Sequence, residues 1–217
     1  MKKINHLLAK GMATQLVLGS FTMPGLMKTR GFVGLMNRIF SKIAPSYDRI
    51  WTDLAPESVF LGPLTAAARS LKAAPLRILD LACGTGLATL HLGRLFPESQ
   101  VVGADLSERM IQVMEQKMKS AGLRYLQTLV CNSDRLPFED GLFDLVLTQN
   151  APPYLEEMVR VLRPGGRLLL AYSFVMVPLV RGVMARRLEG LGLEDLNFIQ
   201  AEQGLAVTAG KPDRTHA

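Results

Sequence analysis

Asp80, Gly84 and Gly86 fall within one short run, LDLACGTG (79–86). Glycine lets the backbone turn tightly and lets a ligand approach with no side chain in the way. The helical pattern that follows, from Leu87, would present free N–H groups at its N-terminus, favourable for a carboxylate or a phosphate. About 20 residues further on, the apolar run VVGADL (101–106) carries Asp105 near its end, where a carboxylate can accept hydrogen bonds from both hydroxyls of a ribose. Loop and acid together predict a bound nucleoside cofactor. A dinucleotide would ask for G-x-G-x-x-G. Here Gly84-Thr85-Gly86 is followed by Leu87-Ala88-Thr89, so the third glycine is absent. Asp80, so close to the loop, would repel a pyrophosphate and favour a cation or an amino group.

Other chemistry is thinly represented. The histidines His6, His91 and His216 are scattered, and two cysteines, Cys83 and Cys131, make no metal-ligand set. No metal is expected. The cysteines suit a reducing, cytoplasmic compartment. His91 falls inside the helix after the glycine loop and reads as packing. Tyr47, Asp48, Asn150, Tyr154 and Tyr172 remain as polar groups able to orient or deprotonate an acceptor.

The elements that must position these groups alternate strand and helix from residue 75 on. Strands are predicted at 76–83, 101–106, 125–131, 142–149 and 167–174, with a closing pair within 193–211. Helices are predicted at 87–96, 108–122, 154–162 and 178–192. Ser107 suits the N-cap of the second of these and Gly122 its C-terminus. Continuous apolar runs such as LRILDLAC mark strands buried on both faces. The pattern implies an α/β fold with a doubly wound, mostly parallel seven-stranded sheet. Ligands then bind at the carboxyl ends of the strands. Three parts are expected: an N-terminal helical lid at 1–74, a core at 75–211 and a tail at 212–217.

The chain has 217 residues, 48% hydrophobic and 20% charged, which describes a globular protein. Its net charge of +6 is placed unevenly. Residues 1–50 hold eight Lys or Arg and one acid, Asp48, while the rest hold 17 and 18. Their apolar run is broken by Gln15, Gly19, Ser20 and Pro24, so neither a signal peptide nor a membrane-spanning helix is expected. Two readings stay open: amphipathic helices that cover the core, or a basic amphipathic patch within 1–45 that touches anionic membrane.

Four motifs, in order and spacing, resemble the class I S-adenosylmethionine-dependent methyltransferases. ILDLACGTG (78–86) is similar to their glycine loop, and VVGADLS (101–107) to the strand with the ribose acid. NSDRLPFEDGLFDLVLT (132–148) is similar to the adenine-side loop and fourth strand, and RVLRPGGRLLLAYS (160–173) to the fifth-strand motif. The resemblance implies S-adenosylmethionine as cofactor, with S-adenosylhomocysteine as product, on a Rossmann-like methyltransferase fold. It places Asp80 near the donor's amino group and Ala82, Gly84 and Gly86 along its methionine part. Asp105 would take the ribose and Leu106 would lie against the adenine. Asn132 and Ser133 would edge the adenine, and Gln149 would border the site. Asn132 stands where many relatives carry aspartate, so the adenine amino group would meet an amide oxygen.

FSKIAPSYDRIW (40–51) and QGLAVTAGK (203–211) resemble the ubiquinone and menaquinone biosynthesis C-methyltransferases within that class. By that resemblance Tyr47 would fold over the donor or line the acceptor pocket. The segment VMVPLVRGVMARRLEGLGLE (175–194) is short for that group, so the N-terminal residues are expected to supply most of the roof. An apolar, basic roof favours a small hydrophobic acceptor: a quinone precursor, a lipid or an aromatic metabolite. Asn150, Pro152, Pro153 and Tyr154 are similar to a motif of amino-methylating enzymes, but Ala151 interrupts it. Asn150 and Tyr154 join Tyr47 as candidate catalytic residues. Two alternatives remain: amino-group methylation of protein or nucleic acid, and a non-catalytic donor-binding subunit. No nucleic-acid partner is expected.

Overall fold

The computed structural model describes residues 11, 14–15 and 17–213. Seven strands form one sheet: β1 (Arg77–Leu81), β2 (Gln100–Asp105), β3 (Gln127–Val130), β4 (Phe143–Gln149), β5 (Leu162–Tyr172), β6 (Glu194–Ala201) and β7 (Gly204–Gly210). Their order is β3-β2-β1-β4-β5-β7-β6. The first five are parallel, and β7 is antiparallel to both of its neighbours. Among the described residues, those at 17–22 are helical, and from Arg30 on the helices are α1 (Arg30–Ile43), α2 (Tyr47–Leu54), α3 (Glu57–Arg69), α4 (Leu87–Leu95), α5 (Glu108–Ser120), α6 (Leu155–Val161) and α7 (Val177–Gly190). A single helical turn, Pro24–Met27, precedes α1, and a 3-10 turn, Ala44–Ser46, joins α1 to α2.

Strand alternation divides the core in two. Leu79, Leu81, Val146, Leu168 and Leu170 face one side, where Leu155, Met158, Val180 and Met184 of α6 and α7 cover them. Ile78, Leu145, Leu147 and Leu169 face the other, against Leu64, Leu90 and Met114 of α3, α4 and α5. Period-two alternation in strands and 3.6-residue periodicity in helices produce this division directly. It is the doubly wound sheet that the alternating pattern predicts. Ser107 caps α5, its hydroxyl accepting from Met110 N at 3.3 Å, and Gly122 has φ +71.

β5 begins earlier than the sequence suggests, at Leu162 instead of Arg167. Pro164-Gly165-Gly166 reads locally as a turn, yet Gly165 N bonds Lys211 O at 2.9 Å and Lys211 N bonds Gly166 O at 3.0 Å. Lys211, just past β7, thus pairs with that segment and draws it into β5, with Gly165 at φ +69. β3 is trimmed to four residues at the sheet edge, where it has a neighbour on one side only.

Candidate functional site

Three adjacent strands end in the same unusual way. Ala82 after β1 and Asn150 after β4 have φ +53, and Phe174 after β5 has φ +57. Non-glycine residues adopt this left-handed conformation at a cost, and such residues gather at functional sites. At the ends of β1 and β4 lies a cavity of about 310 Å³, with Asp80, Ala82, Cys83, Gly84 and Thr85 on one side and Gln149 and Asn150 on another. The N-terminal helices close it with Tyr47, Asp48, Trp51 and Phe60.

Asp80 is 1% exposed. Its Oδ2 accepts from Thr89 Oγ1 at 2.6 Å. Its Oδ1 is buried with no hydrogen-bond partner. Burial pushes the carboxyl up to about 7, partly offset by the Thr89 hydroxyl. A buried acceptor without a donor is costly, and an ammonium group placed here would satisfy it. Gly84 (φ +54) and Gly86 (φ +84) shape the loop beside it. A Cβ on Gly86 would lie 2.5 Å from Met114 Cγ, so that glycine serves packing. On Gly84 the nearest atom to a Cβ would be Tyr47 Cε1 at 3.9 Å, so that glycine keeps space open.

Asp105 is fixed across the loop. Its Oδ2 accepts from Gly84 N at 2.9 Å and its Oδ1 from Ser107 N at 2.8 Å. Burial raises its pKa, and these backbone bonds oppose the rise. Each oxygen keeps a lone pair for one further donor. Asp105, Leu106, Asn132, Ser133 and Tyr154 do not line the cavity. Of the predicted methionine-side residues, Asp80, Ala82 and Gly84 therefore come together in it while Gly86 does not line it, and the predicted adenine-side residues lie beyond it. Asn132 is exposed, and its Oδ1 accepts from Asp134 N at 3.0 Å. Ser133 is buried.

The N-terminal helices are tied along the strand ends. Asp48 accepts from Thr85 Oγ1 at 2.5 Å and pairs with Lys117 at 2.7 Å. The Ser41 and Ser107 hydroxyls lie 2.7 Å apart. Lys28 reaches Glu156 at 3.2 Å and Asp134 at 3.6 Å.

Pro63 inside α3 explains the roof's other attachment. It has no N–H to give the Val59 carbonyl, and Ser173 Oγ donates there instead, at 3.3 Å. Asn150 holds Ser173 in turn, accepting from its N–H at 2.7 Å and donating Nδ2 to its Oγ at 3.3 Å. Gln149 Nε2 donates to Phe60 O at 2.5 Å. Asn150 and Gln149, expected to act on ligands, thus also bind β4 and β5 to the roof.

Tyr47 is the aromatic side chain of the cavity wall that the sequence proposes; Trp51 and Phe60 line the cavity beside it and were not proposed. Phe40, Tyr47, Trp51, Phe60 and Phe174 form an edge-to-face chain with centroids 6.1, 5.9, 5.8 and 5.6 Å apart. Burial raises the Tyr47 pKa, and a hydrogen bond with Trp51 opposes the rise. Helical spacing of Tyr47 and Trp51 was the available signal; nothing local pointed to Phe60 or Phe174. His91 also lines the cavity, 2.8 Å from Thr65 Oγ1, and burial lowers its pKa. Tyr172 is buried in the core, and burial raises its pKa.

Residues 78–166 match the family described as Methyltransferase domain. That match covers less than half of the chain. The chain is 34% identical over 142 residues to a demethylmenaquinone methyltransferase of Lactococcus lactis. It is 39% identical over 139 residues to one of Thermus thermophilus. These matches cover 62% and 61% of this chain, and 56% and 63% of the relatives' own length. A SAM-dependent methyltransferase from Aquifex aeolicus shares the fold, with TM-score 0.59 and 19% identity over 75% of this chain and 96% of that one. Among the described residues no cluster of side chains fits a metal ion, and no helix is long and apolar enough to cross a membrane.

Proposed function

We propose that this chain moves a methyl group from S-adenosylmethionine to a small hydrophobic acceptor of the quinone-precursor, lipid or aromatic kind. The observation that carries the reading is the cavity itself: Asp80, whose buried Oδ1 has no hydrogen-bond partner, lines it together with Tyr47, Trp51 and Phe60 from the N-terminal helices. The relatives named demethylmenaquinone methyltransferases support a quinone-type acceptor. When bound, the donor supplies a methyl on a sulfonium, an electrophile that needs an aligned nucleophile and little water.

The residues divide that work. Asp80 would hold the donor's ammonium, Ala82 and Gly84 its methionine chain and Asp105 its ribose. Leu106, Asn132 and Ser133 would meet the adenine once the N-terminal helices shift from their contact with Ser107. Tyr47, Trp51 and Phe60 would exclude water and stack on an apolar acceptor. We read residues 1–74 as the cover of a core at 75–211. Asn150 has its side-chain amide committed to Ser173, which weighs against amino-group gripping on protein or nucleic acid.

The test is incubation of the protein with isotopically labelled donor and a demethylated quinone precursor. Label in the organic-extractable product is expected. Label in protein or nucleic acid instead would overturn the acceptor reading. Calorimetry showing no S-adenosylhomocysteine binding would overturn the donor reading.

A further inference from the structure

Helix α1 carries an apolar stripe that the fold covers only in part. In α1, Phe32, Leu35, Met36, Ile39 and Ile43 recur at three- and four-residue spacing, the pattern that ordinarily faces a core. No residue of α1 is fully buried; Phe32, Met36 and Ile43 are half-buried, and Leu35 and Ile39 stand out of the fold. Leu35 is 53% exposed and Ile39 43%. Exposed Met23 and Leu26 precede the helix, and exposed Ile50 follows it.

Charge accompanies the stripe. Arg38 follows Leu35 by three residues and Lys42 follows Ile39 by three, so both flank it and both are exposed. No Asp or Glu precedes Asp48 in the chain. Among the described residues, Arg30, Arg38, Lys42 and Arg49 join no ion pair. The surface that complements an apolar stripe edged by unpaired cations is apolar and edged by anions. An anionic bilayer offers both along the whole helix. The stripe is also continuous with the site: Phe40 is 37% exposed, and its ring lies 6.1 Å from Tyr47, which lines the cavity.

We propose that α1 lies in the headgroup region of an anionic bilayer, with Leu35 and Ile39 inserted and Arg38 and Lys42 on the phosphates. The aromatic chain from Phe40 inward then receives the acceptor from the lipid phase. That last step rests on the hydrophobic-acceptor reading; the docking face does not.

The test is flotation of the full chain with vesicles of phosphatidylglycerol and phosphatidylcholine in equal parts, and with phosphatidylcholine alone. Binding to the mixed vesicles only, weakened by salt, is expected. Leu35→Glu with Ile39→Glu should abolish it while S-adenosylhomocysteine affinity stays unchanged. Arg38→Gln and Lys42→Gln should each weaken it about fivefold, a result that stands even if the double Glu variant fails to fold. No flotation with anionic lipid overturns the proposal, as does flotation that survives all four substitutions. A concentration-dependent dimer abolished by Leu35→Glu would assign the stripe to a second copy instead. Because donor binding is read separately, loss of flotation and loss of methyltransferase function are distinguishable outcomes.

Discussion

Asp48 Oδ1 accepts a hydrogen bond from Thr85 Oγ1 at 2.5 Å, which ties α2 to the glycine loop. The other oxygen takes Lys117 Nζ at 2.7 Å. Those two side chains are 46% and 30% exposed, so the ion pair contributes only ~0–1 kcal/mol. Thr85 is buried, and its bond reaches a charged acceptor, an arrangement that contributes about 1.5–3 kcal/mol. The hydroxyl contact therefore dominates the tie. We expect Asp48→Ala to speed S-adenosylhomocysteine dissociation by roughly tenfold. Thr85→Val should reproduce most of that effect and Lys117→Met little of it. Trp51, the chain's one tryptophan, stands on the cavity wall and reports the rates by stopped-flow fluorescence. Equal effects from Lys117→Met and Thr85→Val would make the ion pair the tie.

Asp80 gives the ligand-free protein a pH signature. Its folded pKa, about 7, lies above the ordinary carboxyl value of 3.8 because of burial. The folded state therefore holds a proton that the unfolded state releases, and stability falls as pH rises from about 4 to about 7. Asp80→Asn should flatten that slope in denaturant titrations. An ammonium ligand favours the ionised carboxylate, so donor binding should release a proton below pH 7. S-adenosylhomocysteine affinity should then tighten up to about pH 7 and level off. Calorimetry in buffers of different ionisation enthalpy measures the proton. In Asp80→Asn the linkage should vanish and affinity fall by roughly 10- to 100-fold. Linkage that persists in the variant would move it to another group.

What the sequence disclosed follows from range. LDLACGTG and VVGADLS are read from neighbours a few residues apart, and the structure puts Asp80, Gly84 and Asp105 around one loop as their spacing implies. Ser107 as N-cap is equally local. The early start of β5 depends on Lys211, and the roof's attachment depends on Ser173 meeting Val59, contacts across 46 and 114 residues. No local pattern encodes such pairs. Asn150 illustrates the middle case. Its place after β4 was legible, but its partner was not.

The two glycines of the loop should fail differently. Alanine at position 86 would need φ +84 and would meet Met114 Cγ at 2.5 Å and Leu90 Cδ1 at 2.7 Å, all in the core. Strain and overpacking together give a loss of about 2–4 kcal/mol. Alanine at position 84 has room, so it should lose only about 1 kcal/mol of stability from its φ of +54. Its methyl would project toward the space that the donor requires, and S-adenosylhomocysteine affinity should fall by tenfold or more, about 1.4 kcal/mol. Denaturant unfolding and calorimetry on both variants separate the two costs. A Gly84→Ala protein with full affinity would remove that glycine from the donor site.

Asn150 and Tyr154 should separate in the same way. Asn150 sits at φ +53, where asparagine is tolerated better than alanine, and makes two hydrogen bonds to Ser173. Asn150→Ala loses both bonds and adds backbone strain, about 2–3 kcal/mol in all. Asn150→Gly relieves the strain but still loses the bonds, so it should be the more stable of the two. Turnover should fall in both, because Ser173 also holds the Val59 carbonyl of the roof. Tyr154 does not line the cavity, and Tyr154→Phe should leave turnover within about twofold of the parent, a change of ~0.4 kcal/mol. A large loss of turnover in Tyr154→Phe with unchanged donor affinity would restore the phenol to the acceptor site. Full turnover in Asn150→Gly would show that the clamp on Ser173 serves stability alone.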